Sequence, residues 1–114
     1  MPGKHILLID DDPAVGEAVS MMLELDGHEV QHVTNPIEAL ARCSGTHYDL
    51  IVTDSRMPEM SGVELARAIK AKVANQPILM ITGFPPEGET EVVNAVVMKP
   101  FTGAEIRRAV ATLH

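Results

Sequence analysis

Four short stretches of this sequence carry residues that could do chemistry together. Asp10-Asp11-Asp12 stand in a run, Asp54 follows Thr53, Thr82 precedes Gly83, and Lys99 precedes Pro100. Each group closes an apolar run at its carboxyl side. Carboxylates brought close together repel one another and raise each other's pKa unless a cation joins them. An oxygen-rich set without cysteine suits a hard ion, and Mg²⁺ typically takes one or two carboxylates, waters and a phosphate oxygen. A carboxylate, a divalent ion, a lysine and a hydroxyl make a phosphoryl-transfer constellation, in which charge stabilisation and in-line positioning supply most of the catalysis. An aspartate nucleophile in such a setting would give an aspartyl phosphate.

The elements that must bring these groups together are legible in the hydrophobic pattern. Apolar runs of strand length occur at Ile6–Ile9, Leu50–Val52, Ile78–Ile81 and Ala95–Met98. Their lack of polar alternation is the mark of strands covered on both faces. His28–Val33 is more polar and reads as an edge strand. Between the runs lie helical stripes: Val15, Ala18, Val19 and Met22; Leu65, Ala68, Ile69 and Val73; Ile106, Ala109, Val110 and Leu113. Asp12 with Pro13 opens the first helix and Asp26-Gly27 ends it. Asn35-Pro36 opens a short helix through about Arg42, ended by Cys43-Ser44-Gly45. Ser61–Glu64 and Thr102–Glu105 have capping-box spacing. Five βα units in alternation imply a parallel sheet with helices on both faces. The flavodoxin-like order 2-1-3-4-5 suits them, and its crevice opens at the carboxyl ends of strands 1 and 3. All four chemical groups then share one rim.

Composition narrows the class. The 114 residues suit one domain, 1–114, and 46% hydrophobic content is enough for a core. Nine Lys+Arg against 16 Asp+Glu give a net charge of −7, which argues against direct nucleic-acid binding. Cys43 is the single cysteine, so an intrachain disulfide is excluded and a reducing compartment is expected. No apolar run approaches the ~20 residues of a membrane span, and Met1-Pro2-Gly3-Lys4 leads directly into a strand, leaving no room for a signal peptide. The expectation is a cytoplasmic domain without membrane contact.

Ile6-Leu7-Leu8-Ile9-Asp10-Asp11-Asp12-Pro13, Asp49-Leu50-Ile51-Val52-Thr53-Asp54 running into Met57-Pro58, Ile81-Thr82-Gly83 and Lys99-Pro100-Phe101 together closely resemble the receiver domain of bacterial two-component response regulators. The resemblance runs from about Lys4 to Leu113. It implies that Asp54 is the phosphoacceptor, charged by a sensor histidine kinase or a phosphotransfer protein docking near the first helix. Asp10 and Asp11 are implied as the acidic pair for Mg²⁺ (or Mn²⁺), with Asp11 the direct ligand and Asp54 and the Arg56 backbone carbonyl completing the protein's share. Thr82 is implied to hydrogen-bond one phosphoryl oxygen and Lys99 to pair with another. A cis Lys99-Pro100 bond is expected to aim the lysine inward. Such a domain is a switch for a downstream partner or output domain rather than a turnover enzyme; it catalyses only its own phosphorylation and dephosphorylation.

The chain departs from the family pattern in its fourth crossover and at Val96. Only sixteen residues, 83–98, separate Thr82 from Lys99. A parallel crossover needs about a dozen at minimum. With Pro85-Pro86, Gly88, Glu87, Glu89 and Glu91 inside it, the fourth helix is expected to be short or absent. Val96 stands where the family commonly has an aromatic ring that turns inward on switching. Ordering of the Gly83–Glu91 loop on phosphorylation is the alternative coupling. Arg56 and Phe84, two residues after Asp54 and Thr82, are expected to shield the phosphoryl group and slow its hydrolysis. Two rival readings stay open: a phosphorylation-independent pseudo-receiver, and a phosphatase of the haloacid dehalogenase type using Asp10-x-Asp12.

The remaining chemical residues read as structural. Helix capping is favoured for Asp12 over metal ligation. The five histidines show no metal-ligand spacing and read as surface residues. Met57 and Met60 are expected to pack beneath the loop after the third strand, and Cys43 reads as an inert thiol.

Overall fold

The computed structural model describes residues 3–83 and 92–113. Its elements in order are β1 (His5–Ile9), α1 (Pro13–Leu25), β2 (Glu29–Val33), α2 (Pro36–Cys43), β3 (Leu50–Asp54), α3 (Gly62–Lys72), β4 (Ile78–Thr82), β5 (Ala95–Met98) and α4 (Gly103–Thr112). The five strands form one parallel sheet in the order β2-β1-β3-β4-β5, as the alternation of patterns predicts.

Successive strand side chains point to opposite faces, so each central strand supplies two cores. Leu7, Ile9, Ile51, Ile78 and Met80 join Ala39 of α2 and Leu65, Ala66 and Ile69 of α3 on one face. Ile6, Leu8, Leu50, Val52, Leu79 and Ile81 join Val19 and Leu23 of α1 and Ile106 and Val110 of α4 on the other. β1 from Ile6 and β3 through Val52 are fully buried, whereas β2 runs from exposed to half-buried before Val33. It is the edge strand that its polarity foretells.

The helix starts are chemically specified. Asp12 caps α1 by accepting from the Ala14 and Val15 N–H groups, with Pro13 in the first turn. Asn35 caps α2, again ahead of a proline. Both capping boxes form, Ser61 with Glu64 and Thr102 with Glu105. Each such cap is worth roughly 1 kcal/mol. α1 ends at Asp26, and Gly27 takes the left-handed conformation (φ 91°) that lets the chain turn into β2. At the same end of the molecule the Lys4 ammonium donates to the carbonyls of Val110 and Leu113 and so closes α4, a contact that sequence reading does not anticipate.

Two predicted stripes shift slightly. Ala18 is exposed, and the buried residues of α1 are Gly16, Val19 and Leu23. In α3 the buried set includes Gly62 and Ala66, while Ala68 is only half-buried. Alanine is small enough to sit on either face, so it marks a stripe poorly. The helix expected to be short or absent in the fourth crossover, and the proposed loop ordering, fall mainly on 84–91, outside the described residues. Gly83 and residues 92–94 flank that stretch as bends and turn. Among the described residues no helix is long and apolar enough to cross a membrane.

Candidate functional site

The sheet register places the acidic residues side by side. Ile9 pairs with Thr53, so Asp10 and Asp54 are the next residues of adjacent strands. Asp54 pairs with Ile81, which puts Thr82 one step further along β4. Thr82 in turn pairs with Met98, and the Lys99 N–H donates to the Thr82 carbonyl at 2.7 Å. Four strand ends thus deliver their polar residues to one rim, as the topological reading requires.

Carboxylate oxygens of Asp10, Asp11 and Asp54 all lie within 4.8 Å of one another. Asp10 is 5% exposed, the Asp54 side chain 12%, and Asp11 is open to solvent. Burial, above all, pushes the Asp10 carboxyl above the usual aspartate range, and the charges of Asp54 and Asp11 push the same way. The Asp12 N–H, which donates to Asp10 Oδ1 at 2.9 Å, and the Lys99 charge offset part of that rise. An acid whose charge is disfavoured by burial and by like neighbours is a place where a cation gains energy. The donor set is all hard oxygen, which fits a small divalent ion.

Lys99 Nζ lies 3.3 Å from Asp54 Oδ1, and the Ser55 N–H donates to the same oxygen at 3.0 Å. The Lys99-Pro100 bond is cis. Thr82 is 3% exposed, and its Oγ1 accepts from the Ser55 hydroxyl at 2.8 Å. Sequence reading overlooked Ser55; its place next to Asp54 and opposite Thr82 in the register was the available signal. Arg56 is exposed in the turn after β3, and Val96 is half-buried against the α2–α3 side of the core. Phe84 lies outside the described residues. Met57 and Met60 pack partly buried on the same core.

Asp12 stands apart from the cluster. Its side chain caps α1 through the Ala14 N–H at 3.0 Å, which leaves an Asp10-x-Asp12 phosphatase pair divided between two tasks. Cys43 is half-buried, and burial raises its thiol pKa, in keeping with an unreactive thiol.

Three histidines depart from the surface reading: His5, His28 and His32 are half-buried, and the third of them reaches the site. His32, half-buried at the end of β2, reaches the Asp10 carbonyl through Nε2 at 3.1 Å. Its ring occupies the space beside Gly16 of α1. The signal was hard to see because the partners come from three different elements.

The comparisons with known proteins point the same way. The profile of the response regulator receiver domain matches residues 6–111. Sensor protein EvgS of Escherichia coli K12 is 32% identical over 96% of this chain, and the response regulator receiver protein CpdR of Brucella abortus is 35% identical over 86% of it. The chain spans 10% of the length of EvgS but 86% of CpdR. Among solved structures, the response regulator TrrA of Thermotoga maritima, determined in complex with Mg²⁺–BeF, superposes with a TM-score of 0.92 at 30% identity, covering 97% of this chain and 99% of that one. With the strand order, the acidic rim and the lysine–aspartate pair in the same arrangement as the sequence motifs imply, the chain belongs to the receiver-domain family of two-component signalling.

Proposed function

We propose that this receiver domain takes a phosphoryl group from a phosphohistidine donor onto Asp54, in a site that holds Mg²⁺ or Mn²⁺, and thereby switches its contacts with a downstream partner or output domain. The observation that carries the reading is the buried Asp10 carboxyl with ligand oxygens of Asp54 and Asp11 within 4.8 Å, and the Lys99 ammonium 3.3 Å from Asp54 Oδ1. Asp10, Asp11, Asp54 and the Arg56 backbone carbonyl are the proposed cation ligands. When bound, the cation supplies charge neutralisation for the acidic cluster and for the incoming phosphoryl oxygens.

The chain's own residues do the rest. Both contacts to Asp54, from Lys99 and from the Ser55 N–H, fall on Oδ1, which supports Oδ2 as the attacking atom. A new bond forms from that oxygen to phosphorus as the donor's P–N bond breaks, and the imidazole nitrogen keeps the electron pair and takes a proton. Lys99 pairs with the growing negative charge on one phosphoryl oxygen, and the Thr82 hydroxyl donates to another once it leaves Ser55. Arg56 stands two residues from Asp54 and, with Phe84, is proposed to hinder water's approach to the phosphoryl group.

Incubation with acetyl phosphate and Mg²⁺, followed by intact mass, tests the reading. A single labile phosphoryl adduct is expected, lost in Asp54→Asn and in the presence of chelator. A chain that stays unmodified with acetyl phosphate and with a phosphorylated histidine phosphotransfer protein would instead be a phosphorylation-independent module.

A further inference from the structure

We infer that His32 is a positioning residue for the cation site, acting through the backbone of Asp10, and that Gly16 is the position that makes room for it. This rests on the reading of Asp10 as a cation ligand. The carbonyl of Asp10 can only accept a hydrogen bond, so the contact at 3.1 Å fixes a proton on His32 Nε2. Three bonds from three directions then hold Asp10. Its N–H donates to the Val33 carbonyl at 3.2 Å, its carbonyl accepts from His32, and its Oδ1 accepts from the Asp12 N–H at 2.9 Å. The first two come from neighbouring residues of β2, the edge strand, which otherwise supplies nothing to the rim.

Gly16 is the second, independent observation. It is buried in the second turn of α1, where glycine weakens a helix relative to alanine. A Cβ added there would lie 2.1 Å from both Cε1 and Nε2 of His32. No side chain fits that space while the ring is in place. An otherwise unfavourable helical glycine and a histidine aimed at the backbone of a clustered aspartate are therefore one device. The ring braces the β1–α1 turn, so that Asp10 and Asp11 leave the strand in the direction of Asp54. Residues behind a metal ligand commonly tune affinity about 10-fold or more, and a brace that acts through the backbone is expected to do less, about fivefold.

The experiment is a Mg²⁺ titration of the isotopically labelled chain, followed by amide NMR shifts, with the unfolding midpoint in EDTA measured alongside. Glutamine can place an amide N–H near the position of Nε2, whereas alanine cannot. His32→Ala is expected to weaken Mg²⁺ binding about fivefold, and His32→Gln to stay within about twofold of the wild type. Gly16→Ala is expected to weaken binding and lower the unfolding midpoint while His32 is present. In the His32→Ala background the same change should leave affinity unaltered and raise the midpoint, since the helix then gains alanine at no steric cost. Equal affinity of His32→Ala and wild type overturns the inference and leaves the phosphoacceptor reading standing. So does an equal loss in His32→Ala and His32→Gln, or a Gly16→Ala effect that is the same in both backgrounds. Absence of Mg²⁺ binding in the wild type itself overturns the phosphoacceptor reading, and this inference with it.

Discussion

The two ends of the sheet are both rich in charge, yet they handle it in opposite ways. At the amino end, Asp49 accepts the His5 N–H at 2.7 Å and lies 3.5 Å from His47 Nε2, while Lys4 is spent on the last carbonyls of α4. The His5 backbone bond, first among several causes, holds the Asp49 carboxyl below the usual range. At the carboxyl end, burial holds the Asp10 carboxyl above it, with two more carboxylates alongside and one lysine nearby. Polar residues at strand ends are therefore a poor guide to function by themselves. What distinguishes the candidate site is charge that the fold leaves insufficiently neutralised.

The lysines give the widest contrast. Lys99→Ala is expected to slow phosphorylation by acetyl phosphate about 100-fold, the scale of losing one fixed charge-stabilising group, with little change in unfolding midpoint. Lys4→Ala should do the reverse, leaving phosphorylation intact and lowering stability by about 1 kcal/mol through the lost α4 carbonyl contacts. Parallel rate and melting measurements on the two variants check this, and a shared phenotype would erase the distinction between the rims.

The aspartates sharpen it through pH. Because the Asp10 pKa is raised from its ordinary 3.8, the native chain keeps that proton where the unfolded chain has lost it. Its contribution to stability is full below 3.8 and declines as pH rises through the folded value. Asp49 is lowered from 3.8, so its contribution is full above 3.8 and disappears as pH falls through the folded value. In EDTA at neutral pH, Asp10→Asn should raise the unfolding midpoint by a few degrees, corresponding to roughly 0.5 kcal/mol after solvent screening. Asp49→Asn should lower it. Below pH 3.8 the Asp10→Asn gain should vanish. Midpoints that shift in the same direction at neutral pH would show that the two ends do not differ in this respect.

Ser55→Ala is the most local test. It removes one hydroxyl bond between β3 and β4 at the site end and is expected to cost about 1 kcal/mol in the unphosphorylated chain. In the phosphorylated chain, where Thr82 is proposed to have turned to the phosphoryl group, the cost should shrink. A cost that is equal in the free and beryllofluoride-bound forms would mean that Thr82 keeps its Ser55 bond throughout.

Much of this was legible in sequence because it is local or periodic. Strand order follows from uninterrupted apolar runs and one polar strand, and the rim follows from where each run stops. The caps at Asp12, Asn35, Ser61 and Thr102 depend on residues within three positions of one another. The missed features are long-range contacts whose residues carry no sequence signal of their own. Lys4 meets α4 across more than a hundred residues, His32 meets Gly16 and Asp10 across two elements, and Ser55 meets Thr82 across the sheet. A glycine in a helix or a serine after a strand has many ordinary explanations until its neighbour in space is known.

Gly62, the first residue of α3, has a bearing on how rigid the molecule is around Asp54. Its N–H donates to the Ser55 carbonyl at 2.9 Å, and a Cβ there would lie 2.5 Å from the Asp54 carbonyl oxygen. Helix and strand end therefore meet main chain to main chain, with no side chain between them. A side chain can absorb a small displacement by changing rotamer, whereas two abutting backbones cannot. The joint has no slack: a shift of the Asp54 peptide would be carried into the whole length of α3, and the helix would act as a stiff pointer to the state of the carboxylate at its foot.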